Sequence, residues 1–206
     1  MDDIWKKNLL KPQFAFVVNT IKHIIETIYS YGGIEHISLC FNGGKDCTVL
    51  LHLLAYILSK QFKKNLSSIP IVYFKVEREF DELYHFNNDM MKFYNFQLIE
   101  LDGKNMKHCL EDMLKLFPQN HVIFMGQRST DPHGAKLTTV QKSDPSWPPI
   151  DRANSILSWT YAQVWDFLIS FELPYCRLYE LGFTSLGSLL QTIPNPWLLK
   201  QKVFFS

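Results

Sequence analysis

Apolar positions early in the chain recur at helical spacing. Phe14, Val17, Val18, Ile21, Ile24, Ile25 and Ile28 fall three to four residues apart, so they share one face of a helix. Pro12 suits the start of that helix and Gly32-Gly33 its end. The pattern then changes. Residues 36–41 (HISLCF) are a short apolar run of the kind a buried strand shows. Asn42-Gly43-Gly44-Lys45-Asp46 reads as a turn. Residues 48–59 read as a helix that is apolar almost all round, which predicts cover on both its sides. The same reading predicts strands at 70–76, 96–101 and 121–125. It predicts helices at 79–94 and 105–117, the second closed by Pro118. From 128 to 156 the periodicity vanishes among Pro132, Pro145, Pro148 and Pro149. A helix resumes at 160–172, and 181–196 is loop-like again.

Strands alternating with helices predict an α/β fold: a mostly parallel sheet with helices on both faces. The crossovers are expected to be right-handed. Ligands in such sheets bind beyond the carboxyl ends of the strands. Two turns lie there, one after Phe41 and one after Met125. No linker or repeat interrupts the 206 residues, so one domain is expected over 1–206, with a core at 1–126 and a loop-rich remainder at 127–206.

Composition narrows the classes of partner. Hydrophobic residues are 47% and charged residues 20%, which argues against disorder and coiled coil. A formal net charge of +1 offers no basic surface for nucleic acid. The four cysteines include no C-x-x-C pair, so no zinc ribbon or disulfide framework is expected. Reduced thiols fit the cytoplasm. No apolar stretch is long enough to span a bilayer, and the start lacks a secretory pattern.

The chemistry is concentrated in three segments. In Asn42-Gly43-Gly44-Lys45-Asp46-Cys47, two glycines let amide groups face an anion. The helix start adds partial positive charge, and Lys45 adds a full one. Asp46 suits a metal carried by that anion. The loop is neither G-x-x-x-x-G-K-[ST] nor G-x-G-x-x-G. The plain alternative is a simple turn with Asp46 capping the helix. In Gly126-Gln127-Arg128-Ser129-Thr130-Asp131-Pro132, Arg128 can fork onto phosphate oxygens. Asp131 can orient it or hold a metal; a purely local Arg–Asp pair is the alternative. In Gln141-Lys142-Ser143-Asp144-Pro145-Ser146-Trp147-Pro148, Trp147 sits in a polar loop and suits stacking on a flat ring. It could instead close the loop as a rim residue. His52, on the apolar helix, reads as a core histidine. Cys47, at a helix start, is placed where a thiol pKa falls, but the chemistry gives it no role.

These segments resemble a known family. Asn42–Asp46 followed by the leucine-rich helix looks like the pyrophosphate-binding loop of the adenine-nucleotide alpha-hydrolase-like superfamily. The fuller set adds Gly126-x-Arg128-x-Thr130-Asp131-Pro132, Asp144-x-x-Trp147-Pro148, Arg152, Ile156-Leu157-x-Trp159, Pro174-x-Cys176-x-Leu178-Tyr179, the Gly182 to Gly187 run and Pro194-Asn195-Pro196. In this order they resemble eukaryotic-type FAD synthetase, the FMN adenylyltransferase, a sibling of the PAPS reductase-like proteins. The resemblance runs from about residue 38 to about residue 196.

The resemblance implies a Rossmann-like nucleotide-binding core at 1–126 and flavin-binding loops and helices at 127–206. It implies transfer of AMP from ATP to FMN, giving FAD and pyrophosphate with the help of Mg²⁺. The implied catalytic residues are Asn42, Lys45, Asp46, Arg128 and Asp131. ATP would meet Leu39, Phe41, Asn42, Gly43, Gly44, Lys45, Asp46, Val76 and Arg128. FMN would meet Asp131, Asp144, Trp147 and Arg152, and Mg²⁺ would meet Asp46 and Asp131. The enzyme is expected to be a cytoplasmic monomer with one activity and no partner beyond its substrates. One departure stands out. The family continues into a helical tail whose arginines reach the phosphates, and here no arginine follows Arg177. Lys200 or Lys202 would have to substitute, without the arginine fork. Two alternatives stay open: a PAPS or APS reductase or other ATP pyrophosphatase of this fold, and a flavin or nucleotide sensor without turnover.

Overall fold

The computed structural model describes residues 2–75, 78–103, 105–132, 134–190 and 192–201. Six strands form one sheet: β1 (Ile37–Cys40), β2 (Ile71–Phe74), β3 (Leu98–Leu101), β4 (Val122–Phe124), β5 (Val140–Gln141) and β6 (Asp151–Ala153). Their order is β3-β2-β1-β4-β6-β5. Every pairing is parallel except β5 with β6. The helices are α1 (Asp2–Leu9), α2 (Ala15–Ser30), α3 (Lys45–Ile57), α4 (Asp81–Tyr94), α5 (Met106–Leu116), α6 (Tyr161–Ser170) and α7 (Pro196–Gln201). None among the described residues is long and apolar enough to cross a membrane.

The central strands β1, β2 and β4 read as nearly unbroken apolar runs because both faces of the sheet are covered there. In β4, Val122 and Phe124 lie in the main core, while Ile123 and the following Met125 lie in a second cluster on the other face. The side chains of α3 and α4 join the main core and those of α5 join the second cluster. The chain therefore lays β1, β2 and β3 side by side, crosses the opposite face in α5, and resumes at β4 on the far side of β1. The seam between β1 and β4 is the point of reversal, where sheets of this kind bind ligands.

The all-round apolar helix is α3, buried beneath α2 and α6. It starts at Lys45, three residues before the predicted start, so Lys45 and Asp46 belong to its first turn. His52 is a core histidine as expected. Its Nδ1 lies 2.6 Å from the Tyr94 hydroxyl and its Nε2 lies 2.9 Å from the Pro174 carbonyl.

Two expectations need correction. The stretch 128–156 is not wholly irregular, because β5 and β6 lie within it. Strands of two and three residues are too short to display a period, and β6 reads Asp-Arg-Ala. They extend the sheet across the boundary drawn at 126/127. The second correction is α1, which the apolar pattern did not single out. It buries Trp5 against Tyr56, ring centroids 4.2 Å apart.

Candidate active site

The turn after β1 takes its shape from glycine. Gly43 has φ +75, in the left-handed region. A Cβ there would lie 2.4 Å from Asn87 Oδ1 and 2.8 Å from Leu83 Cδ1, both on α4. Only glycine lets the turn pass under that helix. Gly44 is the N-cap of α3 and receives no side-chain cap. Its amide donates to Asn42 Oδ1 at 3.0 Å. The Cys47 thiol donates to the same oxygen at 2.7 Å. Asp46 does not cap the helix. Burial pushes the Cys47 thiol up to about 12, which overturns the expectation that the helix start lowers it. Desolvation outweighs the helix field here.

Asp46 instead anchors a chain of alternating charge. Its Oδ2 is 2.8 Å from Lys45 Nζ and its Oδ1 is 2.8 Å from Arg128 Nε. The Arg128 Nη2 is 3.0 Å from Asp131 Oδ1, and the Arg128 amide donates to Asp131 Oδ2 at 2.7 Å. The cations are buried, with 4% of the Lys45 and 8% of the Arg128 side chain exposed; the anions are more open, at 16% and 28%. Low dielectric strengthens these pairs and makes loss of one partner costly. Lys45 Nζ also lies 5.5 Å from the Tyr161 ring centroid and 5.9 Å from that of Tyr179.

Another glycine permits this network. A Cβ on Gly126 would lie 2.4 Å from the Cys47 nitrogen and 2.7 Å from the Asp46 carbonyl carbon. The end of β4 thus touches the first turn of α3 backbone to backbone. That contact delivers Arg128 to Asp46.

The Arg128 guanidinium bridges the Asp46 and Asp131 carboxylates. Among the described residues no group of three or more His, Cys, Asp or Glu side chains converges on a metal.

Of the expected residues, Asn42, Gly43, Gly44, Lys45, Asp46, Arg128 and Asp131 thus lie together at the seam. Leu39 and Phe41 are wholly buried, so these two expected ATP contacts have no surface to offer. Val76 and Lys202 lie outside the described residues, and Lys200 falls in α7. Asp144 and Trp147 border a hollow of about 420 Å³ with Tyr31, His121, Lys142 and Asp151. His121 and Asp151 mark the amino ends of β4 and β6, so this hollow lies at the opposite edge of the sheet. At about 3.3 Å per residue, His121 to Met125 spans about 13 Å. Arg152 pairs in register with Ile123. The neighbouring Asp151 takes Lys142 and Tyr31.

The sequence reading missed three contributors. Tyr179 lay in a quoted motif without a role, yet its hydroxyl accepts from the Lys45 amide at 2.7 Å. Tyr161 opens the predicted 160–172 helix and faces Lys45. Asn87 abuts Gly43 with a buried Oδ1 that has no hydrogen-bond partner. A lone Asn on an amphipathic helix carries no sequence signal.

Known proteins share the sequence and fold of this chain. Residues 36–194 match the family described as the phosphoadenosine phosphosulfate reductase domain. A probable FAD synthase of Caenorhabditis elegans is 39% identical over 194 residues, 93% of this chain and 37% of that protein. One of Schizosaccharomyces pombe is 37% identical over 191 residues, 91% of this chain and 70% of that protein. The chain therefore spans little more than a third of the nematode protein. The crystal structure of Candida glabrata FMN adenylyltransferase in complex with FMN and the ATP analog AMPCPP superposes with a TM-score of 0.82 at 36% identity, covering 90% of this chain and 67% of that one. The same enzyme has been solved with FAD and inorganic pyrophosphate, at a TM-score of 0.81. By sequence and fold together, the chain belongs to the phosphoadenosine phosphosulfate reductase domain family, in the branch formed by the FAD synthases.

Proposed function

We propose that this chain transfers AMP from ATP to FMN, releasing FAD and pyrophosphate. The Lys45–Asp46–Arg128–Asp131 network at the β1–β4 seam carries the reading. It concentrates two buried cations beside glycine amides and a helix start, an arrangement suited to polyphosphate. The relatives above supply the identity of the two substrates.

The reaction needs little covalent help from the protein. A phosphate oxygen of FMN attacks the α-phosphorus of ATP. A new P–O bond forms as the bond to the β-phosphate oxygen breaks, and pyrophosphate leaves with that electron pair. The second pKa of a phosphate monoester is about 6, so the nucleophile is already ionised at neutral pH. No general base is required, and the work is positioning and charge neutralisation. Asn42, Gly43, Gly44 and Lys45 hold the departing pyrophosphate, and Arg128 turns toward the phosphates. Asp46 and Asp131 fix the two cations. Magnesium enters with the substrate, as MgATP. The isoalloxazine ring lies at Trp147 and Asp144, with the FMN phosphate toward Arg128 and Arg152 alongside. The four cysteines are free, which fits the cytoplasm. One copy of the chain supplies the whole network, so a monomer suffices.

The test is incubation of the purified chain with FMN, ATP and Mg²⁺, resolved chromatographically for FAD and pyrophosphate. FAD with matching pyrophosphate is expected. Quenching of FMN fluorescence without FAD would mark a binding protein, and neither signal would end the flavin reading.

A further inference from the structure

We infer that the Tyr179 hydroxyl is an additional phosphate donor of the β1 loop, holding the pyrophosphate end of the nucleotide. The inference deepens the reading above and rests on it.

The backbone amide of Lys45, at the first position of α3, is one of the donors that a helix start turns toward an anion. In this structure it is already taken, because the Tyr179 oxygen accepts it at 2.7 Å. A hydroxyl has one proton to give as well as lone pairs to receive. Among the described residues nothing accepts the Tyr179 proton. Accepting from a helix-start amide polarises the hydroxyl and makes its own proton a better donor. Tyr179 therefore passes the field of α3 outward by one bond. The oxygen lies 3.8 Å from the place a Cβ would take on Gly44, which puts it at the loop.

The ring is held for this task. Trp165 meets it edge-on at 5.2 Å. Tyr179 sits in the turn Arg177–Leu181, which ends at Gly182 with φ +90. Its ring also lies beside Lys45, whose Nζ is 5.9 Å from the ring centroid, so the cation and the hydroxyl belong to one neighbourhood. Burial pushes the phenol well above its ordinary range, chiefly through desolvation, so it stays protonated and serves as a donor and not as a base.

The decisive variant is Tyr179→Phe, which keeps the ring and deletes the donor. Calorimetric binding of inorganic pyrophosphate is the readout, with FMN fluorescence quenching as the control. Tyr179→Phe is expected to weaken pyrophosphate about tenfold, in the range for a hydrogen bond to a charged group, and to leave FMN binding unchanged. Tyr175→Phe, which removes a hydroxyl bonded to Glu180 on the same aromatic cluster, is expected to leave both unchanged. If Tyr179→Phe does not fold, 3-fluorotyrosine at the same position keeps the shape and strengthens the donor, so pyrophosphate is expected to bind more tightly. Pyrophosphate affinity unmoved by these changes would overturn the proposal, whatever happened to thermal stability. Failure of the unmodified chain to bind pyrophosphate or ATP would overturn the phosphate-loop reading itself, and this inference with it.

Discussion

The two edges of the sheet are built differently. At the carboxyl edge, Lys45 and Arg128 are buried, each is paired, and Gly126 holds them in place by direct backbone contact. At the amino edge, Asp144 is exposed and Trp147 is 38% exposed, on a loop tied down beside them. The ties are Lys142 to Asp151 at 2.7 Å, the Ser143 amide to Asp151 at 3.0 Å, and Tyr31 to Asp151. The carboxyl-edge site is thus also part of the framework, whereas the amino-edge hollow hangs from it. Changes in the first should damage fold and chemistry together. Changes in the second should touch binding alone.

Asp46→Asn tests the first half of that contrast most severely. The substitution keeps shape and removes the one anion shared by Lys45 and Arg128. FAD formation is expected to fall about 100-fold or more. Stability to urea is expected to drop by about 3 kcal/mol, as for a buried pair with one partner removed. Lost turnover at full stability would separate the site from the framework and break the comparison. Gly126→Ala comes next. It places a methyl against backbone atoms that cannot turn aside, at a cost of about 3 kcal/mol, with activity falling in parallel. The two variants reach one outcome by different routes, charge in the first and sterics in the second.

The far half of α3 offers a pH test of the same framework. Burial lowers His52 to about 4 from 6.5. The folded state therefore binds fewer protons than the unfolded state between those values. Stability is full above pH 6.5 and is lost progressively as pH falls toward 4, by about 2 kcal/mol at pH 5. Urea titrations at pH 7 and pH 5 measure this, and His52→Gln is expected to flatten the difference.

What could be read from the chain follows the same division. The alternation of runs was legible because the central strands β1, β2 and β4 are apolar on both sides and α2 to α5 are long enough to repeat their period. Val122 to Met125 and the α2 stripe are examples. The glycine turns were legible because Gly43-Gly44 and Gly126 leave few other conformational meanings. What stayed hidden was tertiary. The Asp151-Arg152-Ala153 strand is too short and polar to signal itself. Tyr179 reaches Lys45 across more than a hundred residues of chain, and no spacing encodes that meeting. The Cys47 thiol was misjudged because local helix geometry was visible in the sequence and burial was not.

Trp147→Ala is the mildest test and the one that isolates the amino edge. The ring is partly exposed and makes no aromatic pair among the described residues, so its removal should change stability by no more than about 0.5 kcal/mol. Loss of stacking on a flat ring is worth about 1 kcal/mol, so FMN binding should weaken about five- to tenfold. Trp147→Phe keeps a smaller stacking face and should recover part of the loss. ATP affinity should not move, because the nucleotide loop lies about 13 Å away along β4. FMN fluorescence quenching and calorimetry with ATP measure the two arms. An unchanged FMN affinity would remove the ring from the 142–150 loop and return Trp147 to the role of a rim residue closing its own turn. A loss of ATP affinity would show that the two edges are one coupled site, and the contrast between them would then be a matter of burial alone.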